Sequence, residues 1–309
     1  MEDFFEDDRR YADIINGLGC GGRQLVSADD LQEEDTTSGK RSRDTLRRVA
    51  LGMNFAIVGI ESQEKPDYEL PVRNMAYDVG MYGKELRKIR RKVRRQSRTK
   101  NLMSGEYLYG FKKDSRLHPV ITFVLFSGET WDGARRLHEM LDFTDVPDSL
   151  KRMTPDYKVN VIEIRNLKHT EVFQTDVKQV FDFIRLSGDK EALLELVESD
   201  DNYQHMDEDA FEVITTYTNS KELRMQMEKM QQESRRGEEM DMCKAIKDLM
   251  EDSRTEGREE GREAGFIEGI RKMTEKLLRR GDDIEAIMEL TELTKEEIRE
   301  IERETLVSQ

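Results

Sequence analysis

The sequence predicts an α/β core followed by an all-helical C-terminal region, and three observations carry that prediction. Residues 54–60 (NFAIVGI) and 119–126 (PVITFVLF) are apolar runs of strand length, as expected of strands buried on both faces. Between them, residues 69–98 carry Leu70, Met75, Val79, Leu86, Ile89 and Val93 at helical spacing. A helix joining two buried strands makes a crossover unit in an α/β layer. Beyond about residue 187 the strand signal stops and only helical patches remain.

The elements follow in chain order. Residues 8–18 (DRRYADIINGL) read as a short amphipathic helix with Tyr11, Ile14, Ile15 and Leu18 inward, stopped by Gly17, Gly19, Gly21 and Gly22. Residues 41–50 read as a strand, with helix as the alternative. Residues 157–164 (YKVNVIEI) alternate, as a strand nearer a sheet edge does. Trp131 in SGETWDG anchors a turn after the 119–126 strand. Residues 187–255 hold 19 acidic and 9 basic residues and a group of methionines suited to adaptable packing. Residues 256–269 place glycine at 257, 261, 265 and 269. Each glycine costs a helix about 1 kcal/mol, so the repeat is either a helix packed closely on another helix or a partly helical linker. Residues 282–290 and 295–304 form a helical hairpin, with Thr294 and Glu297 as a capping box. The expected divisions are a core at 1–186, an acidic helical region at 187–255, and a glycine-repeat helix with terminal hairpin at 256–309.

Composition narrows the function classes. Of 309 residues, 38% are charged and 36% apolar, and no apolar run approaches the ~20 residues that cross a bilayer. The acidic start MEDFFEDDRR has no apolar segment of the kind a secretory signal carries. Cys20 and Cys243 are the only cysteines and form no CxxC, which fits a reducing cytoplasm. The four histidines have no HxxxH or HxH spacing, and neither GxxxxGK[ST] nor GxSxG occurs. Net charge is −15, yet residues 84–100 (KELRKIRRKVRRQSRTK) include ten Lys or Arg and one acid, Glu85. A basic stripe on an acidic chain is the electrostatic footprint of binding confined to one surface.

Asp44, Glu61 and Gln63 are the candidates for chemistry. Glu61 follows directly on the buried run, and alternation along a strand puts Gln63 on the same side. Asp44 precedes Glu61 by enough residues for an antiparallel partner strand and a turn near 51–54. Two such carboxylates can converge on a hard cation such as Mg²⁺; with 66 acidic residues in the chain, solvated strand ends remain the alternative.

The segments YADIING (11–17), RDTLRRV (43–49), IVGIESQEKPDYELPVRNMAYD (57–78) and PVITFVLFSGETWDG (119–133) occur in one order. In that order they resemble the PD-(D/E)XK nuclease family transposases, the Rpn recombination-promoting nucleases. The resemblance spans roughly residues 8–185, and its most specific pieces are GIESQ, DYELPVR and GETWDG. The glycine-repeat tail and terminal hairpin also look like that family's C-terminal region. The resemblance implies a restriction-endonuclease-like core, a mixed central sheet with flanking helices. It matches Asp44 to the family's strand-borne Asp and Glu61 to the acid of its E-x-K motif. Gln63 stands where the broader superfamily has Lys, and Asp13 where some members add an acid.

The activity this implies is Mg²⁺-dependent hydrolysis of DNA phosphodiesters (Mn²⁺ substituting), with low sequence specificity, in mobile-element recombination. Gln63 cannot serve as a general base at neutral pH but can orient the attacking water. Arg73 and the stretch carrying Arg87, Lys88, Arg90, Arg91, Arg94 and Arg95 are candidate phosphate contacts; Arg73 can equally be a structural partner of a nearby acid, and the stretch a solvated basic segment or a partner of the acidic 187–255 region. The second hairpin helix carries Glu296, Glu297, Glu300 and Glu302, which phosphate would repel, so homo-oligomer contacts through the C-terminal helices are expected instead. The competing reading is a catalytically weak DNA-binding or assembly protein that keeps the nuclease fold. A third has the acidic tail mask the basic helix.

Overall fold

The computed structural model describes residues 1, 3–34, 37–38, 41–42, 45–51, 54–96, 104–218, 220–233 and 240–307. Its contacts divide the chain into two units, Met1–Ala245 and Ile246–Gln309.

The first unit is built on a mixed five-stranded sheet of order β1-β4-β5-β6-β7. The strands are β1 (Leu31–Glu33), β4 (Thr45–Leu51), β5 (Asn54–Gln63), β6 (Val120–Phe126) and β7 (Asn160–Glu163). A separate two-residue pair, β2 (Thr37–Ser38) and β3 (Arg41–Ser42), lies between β1 and β4 in sequence. β4 runs antiparallel to both β1 and β5, from Thr45 opposite Ile60 to Leu51 opposite Asn54. β5, β6 and β7 are mutually parallel, with Glu61 beside Val124, and Gln63 beside Phe126, which in turn lies beside Glu163. The carboxyl ends of three strands therefore share one edge. β7 is an outer strand, as its alternating pattern predicts.

The central strands are apolar because both faces are covered. Ala56, Ile57, Val58 and Ile60 of β5 and Phe123 to Phe126 of β6 are all buried. One face packs on α2 (Leu70–Gln96), where Met81 joins Leu46 and Ile57, and Leu70 joins Val124, Phe126, Trp131, Val159 and Val161. α2 is the crossover from β5 to β6 that the spacing predicts, but its inward face differs from the apolar pattern. Val79 is 64% exposed, whereas Asn74, Asp78 and Glu85 are buried. Asp78 accepts a hydrogen bond from Tyr157 Oη at 2.6 Å. Glu85 accepts the His118 backbone N–H at 2.9 Å and bonds the same residue's Nδ1. Polar partners, which hydrophobic periodicity does not register, decide which side of α2 faces the sheet.

α1 (Asp8–Ile14) opens on Asp7, whose side chain caps the Arg9 N–H at 2.8 Å. Tyr11 is fully buried and donates to the Val58 carbonyl of β5 at 2.7 Å. The helix expected over 8–18 ends at 14 and widens into a π-turn, Ile15–Gly19. Asn16 accounts for this: buried in that turn, it accepts from the backbone of Leu25 and Val26 and donates to Val26 O, tying the following loop down. A Cβ on Gly17 would overlap the Phe173 ring.

The other helices of this unit are α3 (Ser104–Tyr109), α4 (Asp148–Met153), α5 (Val177–Leu186), α6 (Lys190–Ser199), α7 (Glu208–Tyr217) and α8 (Lys221–Glu233). α5 buries Val180, Phe181, Phe183 and Ile184 completely and packs on α1, α6 and α7. Of the tail methionines, Met227, Met240 and Met242 are buried and Met225 is exposed.

α9 (Met242–Arg280) runs from the end of the first unit through much of the second. The glycines at 257, 261, 265 and 269 lie in it, and a Cβ at any of them meets no atom within 4 Å. The close helix contact expected of the repeat is absent from the described residues. α10 (Ile284–Thr291) and α11 (Lys295–Val307) form the expected hairpin around Leu277, Ile287 and Ile298. The capping box is present: Glu297 accepts from Thr294 N at 2.7 Å, and Thr294 Oγ1 accepts from Glu297 N at 3.3 Å. No helix among the described residues is long and apolar enough to cross a membrane.

Candidate active site at the ends of the parallel strands

Glu61 and Gln63 project from the end of β5 toward the face that α2 covers. Their side chains meet, Gln63 Nε2 donating to Glu61 Oε1 at 3.0 Å. Glu61 is 5% exposed, deep for a carboxylate. Its position follows from two sequence features: the apolar run carries β5 into the core as far as Ile60, and Pro71 in the first turn of α2 starts the helix a few residues later. That short return brings Arg73 over the strand end. Arg73 Nη2 ion-pairs with Glu61 Oε1, and Arg73 Nη1 with Asp67 Oδ2. Asp67 also accepts the Glu69 N–H at 2.8 Å beside the start of α2. Arg73 Nε is buried and takes no hydrogen-bond acceptor among the described residues.

The loops after the other two parallel strands brace this corner. Ser127 N donates to Gln63 O at 3.0 Å. Gly128 then passes so close to the loop after β5 that a Cβ there would strike Glu64 O and the Phe126 ring. Trp131 is buried, edge-on to Phe126 with centroids 5.2 Å apart, and its Nε1 donates to Gly133 O at 2.7 Å; the turn-anchoring role expected of it is what it performs. Arg165 Nε reaches back to Ser127 O at 2.9 Å. Glu163, in register with Gln63 two strands away, ion-pairs with Arg135 and accepts from Asn166 and Trp131 N. At the rim, Tyr68 donates to Asp132 at 3.2 Å, and this hydrogen bond holds the Tyr68 phenol above its ordinary pKa.

The other predicted residues fall as follows. Asp44 lies outside the described residues; Thr45, next to it in sequence, is buried and faces Ile60 across the β4–β5 pair. Asp13 is buried in a separate network. It accepts from Gln174 N at 2.9 Å, and from Thr175 N and Oγ1 at 2.8 and 2.7 Å, fastening that segment to α1. Arg87, Lys88, Arg90, Arg91, Arg94 and Arg95 are all exposed along α2, leading away from Glu61. They form one broad outward face, although their number in sequence leaves little of the helix uncharged: Glu85 and Val93 are buried and Leu86 and Ile89 half-buried on the remaining side. Lys88 is paired with Glu34 at 3.3 Å.

Sequence reasoning passed over Asp67 and Glu163. Asp67 has a legible signal, a capping-type residue shortly before a proline-marked helix start; Glu163 has none beyond ending a short strand. Among the described residues no three His, Cys, Asp or Glu side chains gather in a metal-holding group. The donors at the strand end, Glu61, Gln63 and Asp67, are all oxygen-bearing, and a cationic guanidinium already sits between the two carboxylates. Oxygen donors suit a hard divalent cation in preference to a soft one, and in this structure the guanidinium supplies the positive charge between the carboxylates.

Compared with protein-family models, curated proteins and solved structures, the chain matches none.

Proposed function

We propose that this chain is a metal-dependent endodeoxyribonuclease of low sequence specificity, with a restriction-endonuclease-like core of the Rpn type and a role in recombination or mobile elements. The observation that carries the reading is the hydrogen-bonded pair Glu61–Gln63 at the end of the central strand, from which α2 leads away with an exposed basic face. Glu61 and Asp44 would hold Mg²⁺ or Mn²⁺. The β4–β5 pairing is described as far as Thr45 opposite Ile60, which sets Glu61 one residue beyond the last matched pair. The bound metal would supply a water of lowered pKa and a charge to offset the scissile phosphate. Gln63 orients that water through its amide, and the Arg87–Arg95 face tracks the phosphate backbone. Weak sequence preference follows from a contact set directed at phosphates. The glycine strip of α9, with exposed Phe266 and Ile267 alongside, is where we place self-association.

The test is nicking of supercoiled plasmid with Mg²⁺ or Mn²⁺ by the full chain. Activity is expected in the wild type and lost in Glu61→Ala and Asp44→Ala; undiminished nicking by either variant refutes the assignment. One observation favours the competing reading of a catalytically weak DNA-binding protein: Glu61 is ion-paired to Arg73. Under that reading DNA binding persists with no nicking at any divalent-metal concentration.

A further inference from the structure

The Arg73 guanidinium fills a cation position beside Glu61, at its Oε1 oxygen. Glu61 Oε1 accepts from Gln63 Nε2 and from Arg73 Nη2, which occupies both of its lone pairs. The two partners of the ion pair differ in freedom: the Glu61 side chain is 7% exposed and Arg73 24%. Arg73 also holds a second carboxylate, Asp67, through its other terminal nitrogen, and Asp67 is fixed by the Glu69 N–H. Its Nε makes no hydrogen bond among the described residues, so among them the two ion pairs are what hold the guanidinium in place.

From this geometry we infer that Arg73 is an exchangeable counter-ion, filling the cation position at Glu61 until a divalent metal displaces it toward Asp67. The inference rests on the reading of Glu61 as a metal ligand and adds a positioning role for Arg73. A buried Glu61 without a cation would be costly, so some positive charge must stay beside it in the resting protein. Arg73 provides that charge. Asp67 keeps the displaced side chain within reach, so the exchange breaks one ion pair and retains the other. The resting protein therefore binds metal weakly, because every ion must compete with a tethered cation.

Mn²⁺ binding to the full-length protein, read by the loss of the free Mn²⁺ electron-paramagnetic signal, tests this without DNA. Arg73→Gln is expected to bind Mn²⁺ about tenfold more tightly than wild type, the scale of one charge-assisted hydrogen bond. Arg73→Lys, which keeps the charge but not the two-pronged grip, is expected to fall between, and it decides the matter if Arg73→Gln does not fold. Mn²⁺ should also raise the melting temperature of Arg73→Gln more than that of wild type. Equal Mn²⁺ affinity in wild type and the Arg73 variants, with binding lost in Glu61→Gln, overturns the counter-ion role and leaves the metal site standing. Mn²⁺ affinity unchanged in Glu61→Gln overturns the metal site itself, and the counter-ion role with it.

Discussion

Asp13 separates a structural acid from a chemical one, and the structure sets the size of the effect. Asp13→Ala removes the acceptor for three donors, Gln174 N, Thr175 N and Thr175 Oγ1, at a side chain only 3% exposed. Hydrogen bonds to a charged acceptor are worth about 1.5–3 kcal/mol each. Some of that is returned, because the variant no longer desolvates a carboxylate and water reaches the half-buried donors. A net loss of about 3–4 kcal/mol results. The chain's single tryptophan, Trp131, is buried in the first unit, so its emission follows unfolding of that unit alone. With a urea slope of about 3 kcal/mol/M for a unit of this size, the midpoint should fall by roughly 1 M. Asp13→Asn, which retains one acceptor oxygen, should lose about half as much. Plasmid nicking per folded molecule should be unchanged in both. A midpoint shift below about 0.3 M, or nicking lost from a protein of unaltered stability, would refute a purely structural Asp13.

Four further outcomes are expected. Gly128→Ala forces a methyl into Glu64 O and the Phe126 ring; it should cost about 2–3 kcal/mol and shift Trp131 emission to the red. Burial raises the Glu34 carboxyl, but hydrogen bonds and charge from Arg48 and Lys88 outweigh it and hold the pKa below the ordinary value. That contribution is complete above the unfolded-state value near 4.5 and is lost as pH falls through the lowered folded-state value. Melting temperatures of wild type and Glu34→Gln should therefore differ at pH 7 and converge near about pH 3. Replacing Arg87, Lys88, Arg90, Arg91, Arg94 and Arg95 with Gln should weaken duplex binding and flatten the log-affinity against log-salt slope by up to about 5, at roughly 0.9 per phosphate contact. Alanine at glycines 257, 261, 265 and 269 fills open space in the isolated chain and should raise helicity, while sedimentation shifts toward smaller species as the strip stops admitting a second helix.

What could be read from the sequence was governed by whether one chemical type dominated an element. β5 and β6 were legible because strands covered on both faces need nearly continuous apolar residues, and the α10–α11 hairpin because Thr294 and Glu297 announce a cap. The inward side of α2 was not. It is fixed by Asp78 with Tyr157 and by Glu85 with His118, pairs 79 and 33 residues apart that no local period reveals. The π-turn at 15–19 escaped for the same reason, since the Asn16 side chain holds a loop that follows it. At the candidate site, alternation was enough to place Glu61 and Gln63 together. The grip of Arg73 on Glu61 and Asp67 depends on the short return from β5 into α2, which sequence spacing permits but does not impose.

The inward turn of Glu85 has an electrostatic consequence. It is the sole acid between positions 84 and 95, and with it drawn to His118 the outer flank of α2 shows solvent no negative side chain over that length. Over that length the helix itself adds no repulsive charge to its basic flank, and the acid beside it, Glu34, is neutralised by Arg48 and Lys88.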